Sequence, residues 1–324
     1  MNEFYKRNYI LKNEINKNGE LRIMKFDIEE LDDKFSIEGE VGFAELEEDM
    51  AFITVSNKFA DADICLYGAQ VTSFRPQKTM EILWMSPESN FSEGIPIRGG
   101  IPVCFPWFGP HKTDPEKPQH GFARLMYWNV IETASLANGE TKVVLQLKSD
   151  AETKKYWNHD FRADIIIIIG KTLSIDLKIT NTSELPFDYT TALHTYYNVS
   201  SVEEITIEGL QNTRYYNQLD GEEYVQDSPL LEIKNAETRH YLETENNCII
   251  NDPVFRRRIK VAKSGSKVTT VWNPGEEACL KISDIPDDGF HSFVCIEAVN
   301  AFNNVITLSP GKSHVTSAFI GLDE

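Results

Sequence analysis

The residues of this chain most suited to chemistry are one stiff loop, one histidine and one carboxylate. The loop reads Ile97-Arg-Gly-Gly-Ile-Pro-Val-Cys-Phe-Pro-Trp-Phe-Gly-Pro-His111 and is followed by Pro118-Gln-His-Gly-Phe-Ala-Arg124. It is too rich in proline and glycine for a regular element. Gly99 and Gly100 allow close backbone approach, and Pro102 and Pro106 stiffen the chain. Phe105, Trp107 and Phe108 offer aromatic surface beside Arg98, His111, His120 and Arg124. Aromatic faces next to hydrogen-bonding side chains suit a sugar ring, and arginine suits a phosphate. The same composition also describes a rigid loop whose aromatics fill the core and whose arginines are solvated. His194, in Thr190-Thr-Ala-Leu-His-Thr-Tyr-Tyr-Asn198, ends an apolar β-like run. An imidazole there serves proton transfer or a structural hydrogen bond. Glu297 lies inside the apolar strand pattern Phe293-Val-Cys-Ile-Glu-Ala-Val299. Alternation places it on the face of Phe293, Cys295 and Val299, so either that face lines a cavity or the charge has a buried partner.

The elements that must hold these groups read as strands. β-rich runs recur at Ala51 to Ser56, Ala62 to Tyr67, Thr141 to Leu147, Ala163 to Ile169 and Thr172 to Ile179. In the last, Leu173, Ile175, Leu177 and Ile179 alternate with Ser174, Asp176 and Lys178, the period of a strand wetted on one face. Gly170-Lys171 is the expected hairpin turn. Further strands are expected over Glu204 to Glu208, Thr269 to Trp272, Ala278 to Ile282, Phe293 to Val299 and Val315 to Ile320. Turn clusters such as Asp284-Ile-Pro-Asp-Asp-Gly289 separate them without a composition shift that would mark a linker. The pattern predicts one antiparallel β-sandwich domain over 31–324, preceded by an extension over 1–30 of mixed charge and no strand alternation.

The 324 residues, with 41% hydrophobic and 25% charged side chains, form an ordinary globular composition able to bury a large core. A net charge of −18 repels polyanions, which argues against nucleic acid and anionic membranes as partners. An anionic small substrate then needs local basic residues. Cys65, Cys104, Cys248, Cys279 and Cys295 are scattered and never at metal-finger spacing, so they are expected as reduced, buried thiols. With a polar start and no long apolar segment, the expectation is a cytoplasmic monomer.

Several separate motifs, in one order, resemble the hexose-6-phosphate mutarotases, or glucose-6-phosphate 1-epimerases, of the aldose 1-epimerase superfamily. They are Gly68-Ala-Gln-Val-Thr-Ser-Phe74, Ile82-Leu-Trp-Met-Ser86, Ile97-Arg-Gly-Gly-Ile-Pro102, Pro118-Gln-His-Gly-Phe-Ala-Arg124, His194-Thr-Tyr196, Val271-Trp-Asn-Pro274, Cys295-Ile-Glu297 and Leu308-Ser-Pro-Gly-Lys312. The resemblance implies an all-β supersandwich of the galactose-mutarotase type with the sugar in an open cleft. It implies an isomerase that needs neither metal nor other cofactor, with His194 as general acid and Glu297 as general base. It further implies that Arg98, Gln119, His120 and Arg124 hold a sugar phosphate. For that division of labour the imidazole is expected protonated and the glutamate ionised, each stabilising the other. One departure stands out: where the family often carries an acid after a Glu-Thr pair, Ala236-Glu-Thr-Arg-His-Tyr241 offers Arg239, leaving Glu237 or another carboxylate to replace it. The alternatives are a mutarotase for neutral aldoses and a non-catalytic carbohydrate-binding protein.

Overall fold

The computed structural model describes residues 26–46 and 50–323 in full, and the backbone of the strands Lys12–Ile15 and Leu21–Met24, which pair as a hairpin. The expected 1–30 extension therefore lies largely outside the described residues. The helix Ile28–Phe35 spans its end, and the Asp27 side chain accepts the Glu30 N–H at 3.3 Å as its N-cap. Phe26, Ile28, Leu31 and Phe35 pack against the core.

Among the described residues the strands form two large antiparallel sheets of nine and eight strands, with a four-stranded sheet beside them. The nine-stranded sheet is built from alternating sequence. The strand Phe161–Ile169 pairs with Thr172–Asn181, setting Ile167 opposite Ile175 and Ile165 opposite Leu177. These side chains point inward and are buried, while Ser174, Asp176 and Lys178 lie on the other face. Alternate residues of these strands thus enter one core together with Ile53, Ile64, Phe74, Val271, Val294 and Ile296.

The eight-stranded sheet is covered on both faces at its middle strands, while its edge strand Glu222–Val225 is exposed. Its central strand Phe293–Asn300 is buried at every position. Val294, Ile296 and Ala298 enter the main core. On the outer face Phe293 and Cys295 join one apolar cluster with Trp84, Tyr196 and Ile285, and Val299 joins another with Cys104, Ala192 and Leu242. Glu297 sits between those two clusters.

All the strand runs expected from sequence are present except one. Ala278 to Ile282, read as a strand, instead belongs to the short helix Gly275–Cys279 and the turn after it. Asn273 accepts the Gly275 N–H at 2.9 Å to start that helix, and the turn buries Cys279 and Ile285 against Trp84. All five cysteines are buried and free, as expected. Among the described residues, no helix is long and apolar enough to cross a membrane.

Candidate active site

Strand register lays the site out as a row across the eight-stranded sheet. Tyr216 pairs with His240, His240 with Thr270, and Thr270 with Glu297. Leu193 pairs with Ala298, so continuing the register by one residue brings His194 opposite Glu297. Side chains on paired positions of one face lie side by side. The result is a Nε2 to Oε1 distance of 3.3 Å between His194 and Glu297, with 8% and 2% of each residue exposed.

The stiff loop closes over this row. The His194 N–H donates to the Pro102 carbonyl at 3.0 Å, and the Tyr196 N–H to that of Gly100 at 2.9 Å. Gly99 has φ +115° and a Cβ there would lie 2.5 Å from the Trp84 carbonyl oxygen; at Gly100, φ +58°, it would lie 2.3 Å from that of Val71. Only glycine permits that approach. His120, at φ +63°, is held by its own N–H donating to the Gly109 carbonyl at 2.7 Å and by Nδ1 accepting the Gly109 N–H at 3.1 Å. Its ring meets that of His194 edge-on at 5.6 Å.

All six residues expected at the site, Arg98, Gln119, His120, Arg124, His194 and Glu297, line one cavity of about 310 Å³. Its two ends differ. At one, Arg98 Nη1 donates to the Tyr196 hydroxyl at 3.0 Å and its Nε lies 3.1 Å from Asp284 Oδ2. Arg124 Nη2 donates to the Gln119 carbonyl at 2.8 Å, and among the described residues Arg124 forms no ion pair. At the other end stand Gln218, Thr238, His240 and Thr270. His240 Nε2 lies 2.9 Å from Gln218 Oε1 and Nδ1 lies 2.8 Å from Thr270 Oγ1. An amide oxygen only accepts, so Nε2–H donates to Gln218 and Nδ1 accepts the Thr270 hydroxyl proton. This keeps His240 neutral, and burial holds its pKa down at about 4.

Sequence reasoning missed this second end. The signal was present in the alternation of Glu237–Tyr241, which puts Thr238 and His240 on the cavity face and Arg239 on the other. Arg239 is not part of the cavity: its Nε pairs with Glu237 Oε1 at 2.8 Å and Nη1 donates to Gln226 Oε1 at 3.0 Å. Glu237 is committed to that pair, so neither it nor Arg239 takes the place of the family's acid. Asp284 was also missed, because its segment was read only as a turn cluster and a turn's composition does not point to an arginine partner. Of the loop aromatics only Phe108 lines the cavity. Phe105 is fully buried against Phe161 and Tyr189, Trp107 is buried with Nε1 donating to the Pro118 carbonyl at 2.9 Å, and His111 rests edge-on against Trp107. In that loop the core filled first.

The charge state of the central pair also differs from expectation. Burial, reinforced by the positive charges of Arg124 and Arg98, lowers the His194 pKa to about 3, and burial raises that of Glu297 well above the carboxylate range. Placing two charges in a dry site costs more than their attraction returns unless their remaining hydrogen bonds are made. Here His194 Nδ1 and Glu297 Oε2 have no hydrogen-bond partner among the described residues. Both shifts run in the direction that favours a neutral imidazole beside a protonated carboxyl over the charged pair. The pair still holds one proton between two basic atoms, so the two groups titrate as one unit. Chemically, such a pair can remove a proton from one oxygen and give one to its neighbour.

The chain resembles known proteins over most of its length. Residues 51–318 match the family model described as Aldose 1-epimerase. An Escherichia coli (strain K12) protein with the name "Putative glucose-6-phosphate 1-epimerase" is 35% identical over 254 residues, 78% of this chain and 84% of its own. A Cenchrus ciliaris protein of the same name is 33% identical over 260 residues, 78% of each. The crystal structure of "a putative mutarotase (YeaD) from Salmonella typhimurium" superposes with a TM-score of 0.83 at 30% identity, covering 90% of this chain and 96% of that one. With most of its length matched in this way, the chain belongs to the aldose 1-epimerase family.

Proposed function

We propose that this protein interconverts the α and β anomers of a hexose 6-phosphate, glucose 6-phosphate in the first place, and that His194 and Glu297 are its acid/base pair. The observation that carries the reading is a buried pair 3.3 Å apart, opening on a cavity with a guanidinium that has no carboxylate partner among the described residues. The two oxygens that react in anomer exchange, O1 and the ring O5, are bonded to the same carbon, so the groups serving them must stand close together. A binding module has no use for such a pair.

In the proposed reaction the Glu297 carboxylate takes the proton of the O1 hydroxyl. The O1–H electrons form the C1=O1 double bond, and the C1–O5 bond breaks with its pair on O5, which takes the proton from His194 Nε2. Rotation about C1–C2 turns the other face of the aldehyde toward O5. O5 then attacks C1, losing its proton back to His194, and O1 recovers one from Glu297. No oxidation state changes, and water is not consumed.

The ring's own geometry orients it in the cavity. C6 branches from C5, next to O5, so with O5 at His194 the 6-phosphate falls toward Arg98 and Arg124, with Gln119 and His120 beside it. C2 branches from C1 on the opposite side, so the O2 hydroxyl falls toward Thr270, Gln218 and His240. The guanidinium groups of Arg98 and Arg124, both lining the cavity, supply charge-assisted donors to the phosphate. Asp284 and Tyr196 hold Arg98 in place for it. The neutral end offers the Gln218 amide N–H and the Thr270 oxygen to a hydroxyl, with no charge to desolvate. The domain carrying all this is taken as 31–324, acting as a monomer in the cytoplasm.

The test is the enzyme-dependent rate of anomer exchange on glucose 6-phosphate and on glucose, measured by magnetisation exchange or polarimetry after subtraction of the spontaneous rate. The reading expects acceleration of both with a preference for the phosphate ester. Equal kcat/KM values would favour neutral aldoses, and sugar binding without acceleration would leave a carbohydrate-binding protein.

A further inference from the structure

The two arginines stand on one side of the central pair, and each is linked to the His194 ring through a short chain of contacts. Arg98 bonds the Tyr196 hydroxyl at 3.0 Å, and the Tyr196 ring stacks on His194 at 5.0 Å and 19°. Arg124 bonds the Gln119 carbonyl at 2.8 Å; Gln119 Nε2 lies 3.2 Å from His120 Nε2, and the His120 ring meets His194 at 5.6 Å. Around His194 the other groups are Trp272, edge-on at 5.8 Å, and Glu297. Cys104 and Cys295, behind Glu297, are held as neutral thiols by burial. His120 is held neutral by burial and by the charges beside it. Asp284 is the one carboxylate paired with either arginine among the described residues.

This places the positive field on the histidine's side of the pair. Moving the shared proton from Glu297 Oε1 to His194 Nε2 carries positive charge toward two cations, of which Arg124 has no counter-ion. The field opposes the transfer, and the transferred state is the one that ring opening uses. A dianion seated between the arginines reverses the sign of that field.

We propose that the anion bound by Arg98 and Arg124 activates the acid/base pair as well as anchoring the substrate, by drawing the shared proton from Glu297 to His194. The Oε1–H bond breaks with its electrons left on Oε1, and the Nε2 lone pair forms the new N–H bond. The pair's net charge is unchanged, and nothing else is consumed. The inference rests on the reading of this cavity as a hexose-phosphate mutarotase site. It makes the phosphate a contributor to the chemical step, so an anion that is not covalently attached to the sugar should act too.

The experiment divides the substrate into two parts. D-xylose, which lacks C6 and its phosphate, is followed for anomer exchange with the full chain while inorganic phosphite is raised. Phosphite's own catalysis of mutarotation, measured without protein, is subtracted. Glucose 6-phosphate is run alongside. The expected result is a saturable rise in the protein-dependent kcat/KM for xylose of about tenfold or more, of the order of one pKa unit of coupling, lost in Arg124→Ala. A xylose rate that is undetectable, unchanged or lowered at saturating phosphite overturns activation. In protein labelled with ¹⁵N-histidine, phosphite should shift the His194 ring nitrogens from the neutral toward the imidazolium pattern in the wild type but not in Arg124→Ala. Unshifted nitrogens in the wild type would also overturn the proposal. If glucose 6-phosphate exchange is itself not accelerated, the mutarotase reading fails. If it is accelerated while phosphite leaves xylose untouched, only the activation fails.

Discussion

The two large sheets bury similar strands and use them differently. In the nine-stranded sheet, one face of each strand enters the core and the other meets water, as Leu173, Ile175 and Leu177 do against Ser174, Asp176 and Lys178. In the middle of the eight-stranded sheet both faces are covered, and the outer one holds Glu297, Thr270 and His240 in a row between apolar clusters. The first sheet spends its burial on stability. The second uses burial to keep water away from a few polar groups, which shifts their pKa values and strengthens every interaction inside the cavity.

The sharpest way to break this comparison is to exchange the consequences of mutation. Glu297→Gln keeps the shape of a side chain in the second sheet and should lower kcat by roughly 10²- to 10⁴-fold, the usual worth of a positioned acid or base. Relieved of a buried ionisable group, it should melt no lower than the wild type in a thermal scan. Ile167→Ala, in the first sheet, should do the opposite. It removes a fully buried side chain and should cost about 2–5 kcal/mol by denaturant unfolding, with kcat unchanged at temperatures where the protein stays folded. Loss of activity in Ile167→Ala without loss of stability would show that the division between sheets is false.

Within the second sheet a smaller contrast separates the cavity's two ends. Arg124→Ala removes a charge-assisted contact worth about 1.5–3 kcal/mol, so kcat/KM for glucose 6-phosphate should fall by roughly ten- to a hundredfold, and preference over glucose should fall with it. Gln218→Ala, at the neutral end, removes one uncharged hydrogen bond and should cost only about 0.5–1.5 kcal/mol. That loss should vanish when 2-deoxyglucose 6-phosphate replaces glucose 6-phosphate. A Gln218→Ala defect of equal size on both sugars would contradict the orientation given to the ring.

The central pair also sets a pH dependence that kcat/KM on neutral glucose can read, since that parameter reports the free enzyme. An ordinary histidine would produce a limb near its usual value of about 6.5. With His194 lowered to about 3, a second proton joins the pair only in strong acid, so the profile should stay level from neutral pH down to about 4. A fall centred near 6.5 would mean that the imidazole titrates as if in water.

The same contrast between sheets explains how much was legible beforehand. The strand from Thr172 to Asn181 announces itself because one face is wet and the pattern alternates. Glu297 was legible for the opposite reason, as a charge inside a run with no polar neighbour. His194 and the Arg98 to Arg124 loop needed their motifs, because a single histidine or a proline-rich aromatic loop is equally at home in a core. In Phe105 and Trp107 the core reading prevailed. Alternation could assign His240 a face, but its meeting with Thr270 and Gln218 was not legible, because cross-strand register and a hairpin turn pair residues distant in sequence. The reversal of charge in the central pair was hidden too. It depends on burial and on two arginines brought in from another part of the chain.

The central claim is that His194 and Glu297 act as one unit on the anomeric carbon. Its most direct test is the anomer exchange rate of glucose 6-phosphate with the wild type, His194→Ala, Glu297→Gln and the double variant, under identical buffer. Groups that act as a unit give non-additive losses. Each single variant should therefore fall to nearly the floor that the double variant reaches, with the sugar phosphate still bound. A single variant that retains wild-type exchange, or single losses that simply multiply in the double variant, would contradict the account.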